Sequence, residues 1–244
     1  MPYYYGYGDF LANNIYCILL IPVMILSLWA QLQVSGNFRR YSAQRSRRGL
    51  TGAQAAEAVL RSHGVYDVSI RPCRGSLTDH YDPRDNTIYL SEDVYAAPTI
   101  AAVGVACHEA GHAVQYAVGY GPVRLRQAII PVTQLGSKFS FILLLAGMFL
   151  YSQTLFLVGI LLFSLTTVFQ LVTLPVEFNA SHRAIETIES QYLLEDDEVY
   201  GARKVLRAAA LTYVAALLMS ALQLLRFVLI FLGRNGNRRG GGRE

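Results

Sequence analysis

Charge is what this sequence has least of. Acidic and basic residues make up 16% of its 244 residues, against 53% apolar; soluble domains carry roughly a quarter charged residues. Whole stretches have none. Residues 139–174 run for 36 positions without an acidic or basic side chain. A soluble core has no use for such a run, whereas lipid demands it. Residues 14–34 (NIYCILLIPVMILSLWAQLQV) are equally uncharged, over the ~20 residues that cross a bilayer. Residues 208–232 are interrupted only by Arg226. The 36-residue run is long enough for a helical hairpin turning near Ser152 and Gln153. Its first arm is expected to start near Gln134, with Lys138 reaching back to the interface.

Cysteine is also scarce. Three residues without a CxxC pair exclude a disulfide framework. Cys17 lies in the first apolar stretch; Cys73 and Cys107 are expected to stay thiols in a reducing compartment. The first 34 residues hold no Lys or Arg. The opening MPYYYGYGDF therefore lacks the basic region of a signal peptide, and no small-residue cleavage site follows. The first stretch is expected to be an uncleaved anchor, with the tyrosines at the interface. The basic residues appear just after it, in RRYSAQRSRRG. By the positive-inside rule the amino terminus lies outside and residues 36–133 lie in the cytoplasm. Arg39, Arg40, Arg45, Arg47 and Arg48 read as a topology signal or as a contact for anionic head groups. A basic excess beside a membrane helix gives no support to a nucleic-acid partner. No internal repeat is present. The tail GRNGNRRGGGRE is expected to be disordered.

What is there begins at Thr51, a plausible N-cap for a helix over residues 52–62 that closes at Gly64. The segment VYDVSIRPCRGSLTDHYDPRDNTIYLSEDVY then changes character. Residues 68–70, 77–81 and 87–90 are β-prone and separated by turn formers, which predicts a small strand or hairpin region. Ser91 opens a helical turn. Pro98 or Thr99 opens a longer helix ending near residues 119–121.

That helix carries VGVACHEAGHAVQ. Two of the chain's five histidines sit here, four apart, in an otherwise apolar run. Residues four apart share a helical face, so His108 and His112 can bind one metal ion. Glu109 points to the side of that face, where it can hydrogen-bond a water as general base without being a ligand. This arrangement is what zinc hydrolysis of a peptide needs. Two core histidines satisfied by hydrogen bonds are the plain alternative; it requires separate acceptors for each and a partner for Glu109. The extended pattern with a third histidine fails, since Gln115 and Val118 stand in its place. The best third ligand is Glu177, on a helix expected to start near Pro175. Two crossings between His112 and Glu177 return the chain to the same side. His182, some 140° round the helix from Glu177, is the rival and better suits a supporting or oxyanion role.

HEAGHAVQ, with LTDHYDPRDNTIYLSEDVY before it and PVEFNASHRA after it, resembles the YugP-type family of membrane-bound neutral zinc metallopeptidases, over nearly all of residues 52–210. A more distant likeness links it to the HtpX and Ste24 membrane proteases. Their later helix carries E-x-x-x-D, with the glutamate as third zinc ligand. Here Glu177 is kept and Ser181 replaces the aspartate, which puts in doubt a supporting role at that position. The resemblance implies a gluzincin-like peptidase with one catalytic zinc.

The expected protein is mainly α and multi-pass in the cell membrane, with three to four transmembrane helices and a small α+β zincin-like cytoplasmic catalytic part. By position these are an anchor (1–35), a cytoplasmic part (36–133), a membrane hairpin (134–174), a helical segment with the third ligand (175–207), a last membrane helix (208–233) and the tail. Four crossings would place the Arg-rich tail outside, against the positive-inside rule. His108, His112 and Glu177 are the expected zinc ligands, and Glu109 and His182 the expected catalytic groups. Asn86, Ile88 and Leu90 are expected on an edge strand that pairs with an extended substrate backbone. The polar block before them, with Asp79, Asp82 and Asp85, either braces that strand or fixes turns. The expected partners are a peptide or membrane-protein substrate and the bilayer. Two rivals remain. A site-2-type intramembrane protease would need a later aspartate in a membrane helix. A silent scaffold with structural zinc would have no use for Glu109.

Overall fold

The computed structural model describes residues 7–240, with side chains for Tyr16 and residues 18–233; the tyrosines at positions 3–5 lie outside the described residues. The fold is mainly helical. In chain order it contains α1 (Tyr7–Ser42), α2 (Gly52–Ser62), β1 (Ser69–Cys73), β2 (His80–Asp82), β3 (Thr87–Ser91), α3 (Glu92–Tyr95), α4 (Ile100–Ala117), α5 (Gly121–Phe149), α6 (Gln153–Ser190) and α7 (Asp196–Gly240). Four helices among the described residues are long and apolar enough to cross a membrane: Ile18–Ser42, Gly121–Phe149, Gln153–Ser190 and Asp196–Gly233.

These helices run past starts expected from the sequence. Pro175 lies inside α6 rather than near a helix start, and α5 begins at Gly121 rather than near Gln134, with Pro131 inside it. A proline removes one ladder bond, and long apolar helices tolerate that loss. α7 likewise continues through Gly240, over most of the tail expected to be disordered. Extending an existing helix avoids the cost of nucleating a new one.

The chain forms two compact units, each assembled from separate segments. The first comprises Met1–Leu28, Arg126–Val172 and Val214–Glu244. Its small core joins Leu144, Phe156 and Ile160 to Leu224, Phe227 and Phe231. Gly147 and Gly159 make this packing possible. A Cβ at Gly147 would collide with the Phe156 amide nitrogen, and one at Gly159 would lie 2.8 Å from Leu144 Cγ. Phe227 meets Phe163 edge-on, with centroids 5.3 Å apart. Arg226, the lone charge of the last apolar stretch, lies 4.6 Å from the Tyr16 ring centroid, a cation–π contact. Tyr16 donates to Gln223 at 2.6 Å. Leu135, Phe141 and Leu161 are exposed, as the outer face of lipid-solvated helices must be.

The second unit comprises Trp29–Leu125 and Thr173–Tyr213. Thr51 caps α2 through a reciprocal pair with Gln54, and Thr99 caps α4 by accepting from the Ala102 amide. Ala55, Ala56, Val59 and Leu60 of α2 join the α4 residues Val103, Ala106 and Cys107 in one buried core. Each fully buried Val, Leu or Ile there contributes roughly 1.5–3 kcal/mol. Burial pushes the Cys107 thiol well above its usual range, so it stays protonated and inert. On the other side of α4, a Cβ at Gly104 would sit 3.3 Å from Ala202 of α7.

The sheet order is β1-β3-β2, with β1 parallel and β2 antiparallel to β3. This overturns the edge-strand expectation for Asn86, Ile88 and Leu90. β3 is the inner strand, and Ile88 and Leu90 are fully buried. Asn86, with φ 53°, holds the preceding turn by donating to Asp67 and accepting from the Tyr81 hydroxyl at 2.6 Å. Burial pushes that phenol up to about 12, keeping it a donor.

Two runs of opposite charge also meet. Arg47 binds Glu195 at 2.5 Å and Asp197 at 2.8 Å, and its amide donates to Glu198. These arms are half exposed or more, and such pairs add little stability. They fix the loop after α1 against the start of α7.

Candidate metal centre

α4 and α6 touch where a side chain is missing. A Cβ at Gly111 would lie 2.7 Å from the Ala180 carbonyl oxygen. That contact brings the face of α4 carrying His108 and His112 against the stretch of α6 carrying Glu177. His108 Nε2 lies 3.3 Å, and His112 Nε2 3.5 Å, from Glu177 Oε2. The imidazole centroids are 4.7 Å apart and nearly perpendicular. One donor atom from each of the three residues falls within 4.8 Å of the others, so together they could hold a metal ion. Glu177 is 2% exposed.

The remaining ring nitrogens are occupied from behind. His112 Nδ1 lies 3.1 Å from Gln115 Oε1. The Gln115 amide donates to the Val176 carbonyl at 2.8 Å and to Asn179 Oδ1 at 3.0 Å, and Asn179 accepts from Arg183. Gln115 is fully buried and can only accept from His112 in this arrangement. It thereby puts the proton on Nδ1 and frees Nε2. His108 Nδ1 lies 3.1 Å from Ser181 Oγ. Position 181 therefore contacts the histidine through a neutral hydroxyl. Partners of this kind orient ligand imidazoles. Two imidazole nitrogens and one carboxylate, each aimed inward, are a donor set that suits zinc and leaves a fourth position open.

Burial works against a charge on His112, but the Glu177 carboxylate, Glu109 and the Gln115 bond outweigh it and hold the imidazole above the ordinary histidine range. Glu109 is buried and lines the same cavity as His108. His182 is exposed and is not among the converging groups.

Asp79 accepts from the Ser91 amide at 2.7 Å and from its hydroxyl at 3.0 Å, and it lines the cavity beside Glu109. The polar block thus braces the end of β3 and also borders the site. Burial raises Asp79 above the usual carboxylate range, more than the Ser91 bonds lower it. Asp82 and Asp85 fix the turn: Asp82 binds Arg84 at 2.6 Å, and Asp85 accepts from Tyr89. Gln115 and Asn179 were overlooked from sequence. The available signal was an amide one turn beyond His112 on the same face of a buried helix.

The family described as "Putative neutral zinc metallopeptidase" matches residues 16–232. The chain belongs to this family. It is also 49% identical, over 224 residues, to "Putative membrane protease YugP" of Bacillus subtilis (strain 168), an alignment covering 91% of this chain and all of that protein. No solved structure matches. The zinc in the family's description agrees with the donor set formed by His108, His112 and Glu177.

Proposed function

We propose that this chain is a membrane-embedded, zinc-dependent endopeptidase whose site faces the cytoplasm. The observation that carries this reading is the convergence of two Nε2 atoms and one buried carboxylate, with a second buried carboxylate, Glu109, adjacent to His108 in sequence. His108, His112 and Glu177 hold the metal. A zinc ion held there supplies Lewis acidity, polarising a peptide carbonyl and making water a nucleophile near neutral pH.

The protein's own groups do the rest. Glu109 accepts the proton of the attacking water as its oxygen bonds to the carbonyl carbon, and passes it to the leaving amine as the C–N bond breaks. Gln115 and Ser181 keep both imidazoles turned inward. His182, exposed and outside the metal group, is kept as a supporting group rather than a ligand. β2 is an outer strand of the sheet, and Leu77 and Asp79 just before it border the cavity beside His108 and Glu109. It replaces β3 as the strand along which an extended substrate lies.

The cytoplasmic orientation rests on the arginines after the first apolar stretch and on the even number of candidate spans between α4 and the end of α6. Chelation of the purified protein should abolish hydrolysis of an unstructured membrane-protein substrate, and added zinc should restore it. Undiminished hydrolysis after removal of the metal would refute the proposal. Cysteine labelling at positions 95 and 186 from outside intact cells would refute the orientation.

A further inference from the structure

α4 borders a cavity of about 310 Å³ that reaches His108 and Glu109. Its apolar wall comes from four segments: Val34 and Phe38 of α1, Leu77 ahead of β2, Val105 of α4, and Leu206 and Ala209 of α7. Among the described residues no lysine or arginine lines it, and the acidic groups in its lining are Asp79 and Glu109. The volume stands at the low end of ligand pockets, roughly 300–1,000 Å³. That is room for one large side chain with its adjoining main chain, and too little for a folded partner. Leu77 is held at φ 57° and is 46% exposed. A left-handed leucine persists only where its surroundings enforce it, commonly beside functional sites. Asp79, fixed on Ser91, anchors the chain two residues further on.

We propose that this cavity receives an apolar side chain flanking the scissile bond, so that the protein cleaves beside large aliphatic or aromatic residues and discriminates against acidic ones. The proposal rests on the peptidase reading. With His108 and Glu109 in the wall, a side chain seated here belongs to a residue at the reacting carbonyl. Apolar walls favour a side chain that leaves water at no polar cost. A substrate carboxylate would meet the like charges of Asp79 and Glu109, with no lysine or arginine among the lining residues to offset them.

The test uses the full-length, zinc-loaded protein in detergent and a set of quenched peptides carrying Phe, Leu, Ala or Asp at one position. Cleaved bonds are mapped by mass spectrometry. Phe and Leu peptides should exceed the Asp peptide by at least about tenfold in kcat/KM, with the bond broken beside the varied residue. Ala209→Leu, which fills the cavity, should lower the Phe-to-Ala ratio of kcat/KM by about tenfold. Leu77→Ser changes an exposed position, spares the fold and should lower the same ratio; it decides the matter if Ala209→Leu does not fold. Hydrolysis without preference, or a ratio unmoved by Leu77→Ser, overturns the cavity assignment alone. Absence of hydrolysis of every peptide by zinc-loaded wild type overturns the peptidase reading and this inference with it.

Discussion

Gly147 in one unit and Gly111 in the other do the same mechanical job with different consequences. Each lets one helix approach the backbone of the next: α5 reaches Phe156 of α6, and α4 reaches Ala180 of α6. In the first unit the close approach serves only packing, among Leu144, Phe156, Ile160 and Phe227. In the second it brings His108, His112 and Glu177 within reach of one ion. The same steric device therefore stabilises helices in lipid-like surroundings in one place and assembles chemistry in another. The difference lies in which polar groups flank the contact and in whether those groups are held from behind.

The largest expected effect breaks the second unit at its charge. Glu177→Ala leaves two imidazoles on one helix turn, and roughly one zinc per chain should fall to well under half by metal analysis. His182→Ala should leave the zinc in place; the reverse order would make His182 the ligand.

Next come the groups behind the imidazoles. Gln115→Leu should weaken zinc binding by about 10–100-fold in a chelator competition, with Ser181→Ala at or below the lower end of that range. The order follows from burial, since Gln115 ties His112 to the backbone of α6 through Val176, whereas Ser181 makes one contact with His108. Equal zinc affinity in wild type and Gln115→Leu would remove the positioning role.

The glycine pair sharpens the comparison directly. Gly111→Ala and Gly147→Ala should each destabilise by about 1–3 kcal/mol through overpacking, seen as lowered thermal midpoints in detergent. Only Gly111→Ala should also loosen zinc. Loss of zinc in both variants would mean that the metal centre depends on packing throughout the chain.

The smallest effect belongs to the turn. Arg84 lowers Asp82 to about 2. The pair's contribution is therefore present above the ordinary carboxylate pKa and is lost as pH falls from about 4 towards 2. Arg84 is 87% exposed, so Asp82→Asn should shift the thermal midpoint barely at neutral pH and not at all near pH 2.

Local signals were legible where the physics is local. Thr51 and Thr99 mark helix starts because a side-chain oxygen answers an orphan amide within three residues. The apolar runs mark spans because lipid tolerates nothing else. The HEAGH spacing puts both imidazoles on one face whatever the tertiary structure. Pro175 misled because a proline's local preference for a helix start is overridden inside a long apolar helix. β3 was mistaken for an edge because the order of strands along the chain does not reveal that β1 pairs with it in parallel across an intervening strand. The contact of Ser181 with His108 depends on a missing Cβ at Gly111, seventy residues earlier in the chain, and no spacing rule connects the two.

The central claim is that Glu109 moves the proton while the metal is held by others. Glu109→Gln keeps size and burial but removes the base. Zinc content and rate, measured on the same purified sample with a cleavable peptide, test this directly. Zinc should stay near one per chain while kcat falls by about 10²–10⁴-fold. Undiminished turnover with zinc bound would contradict the account.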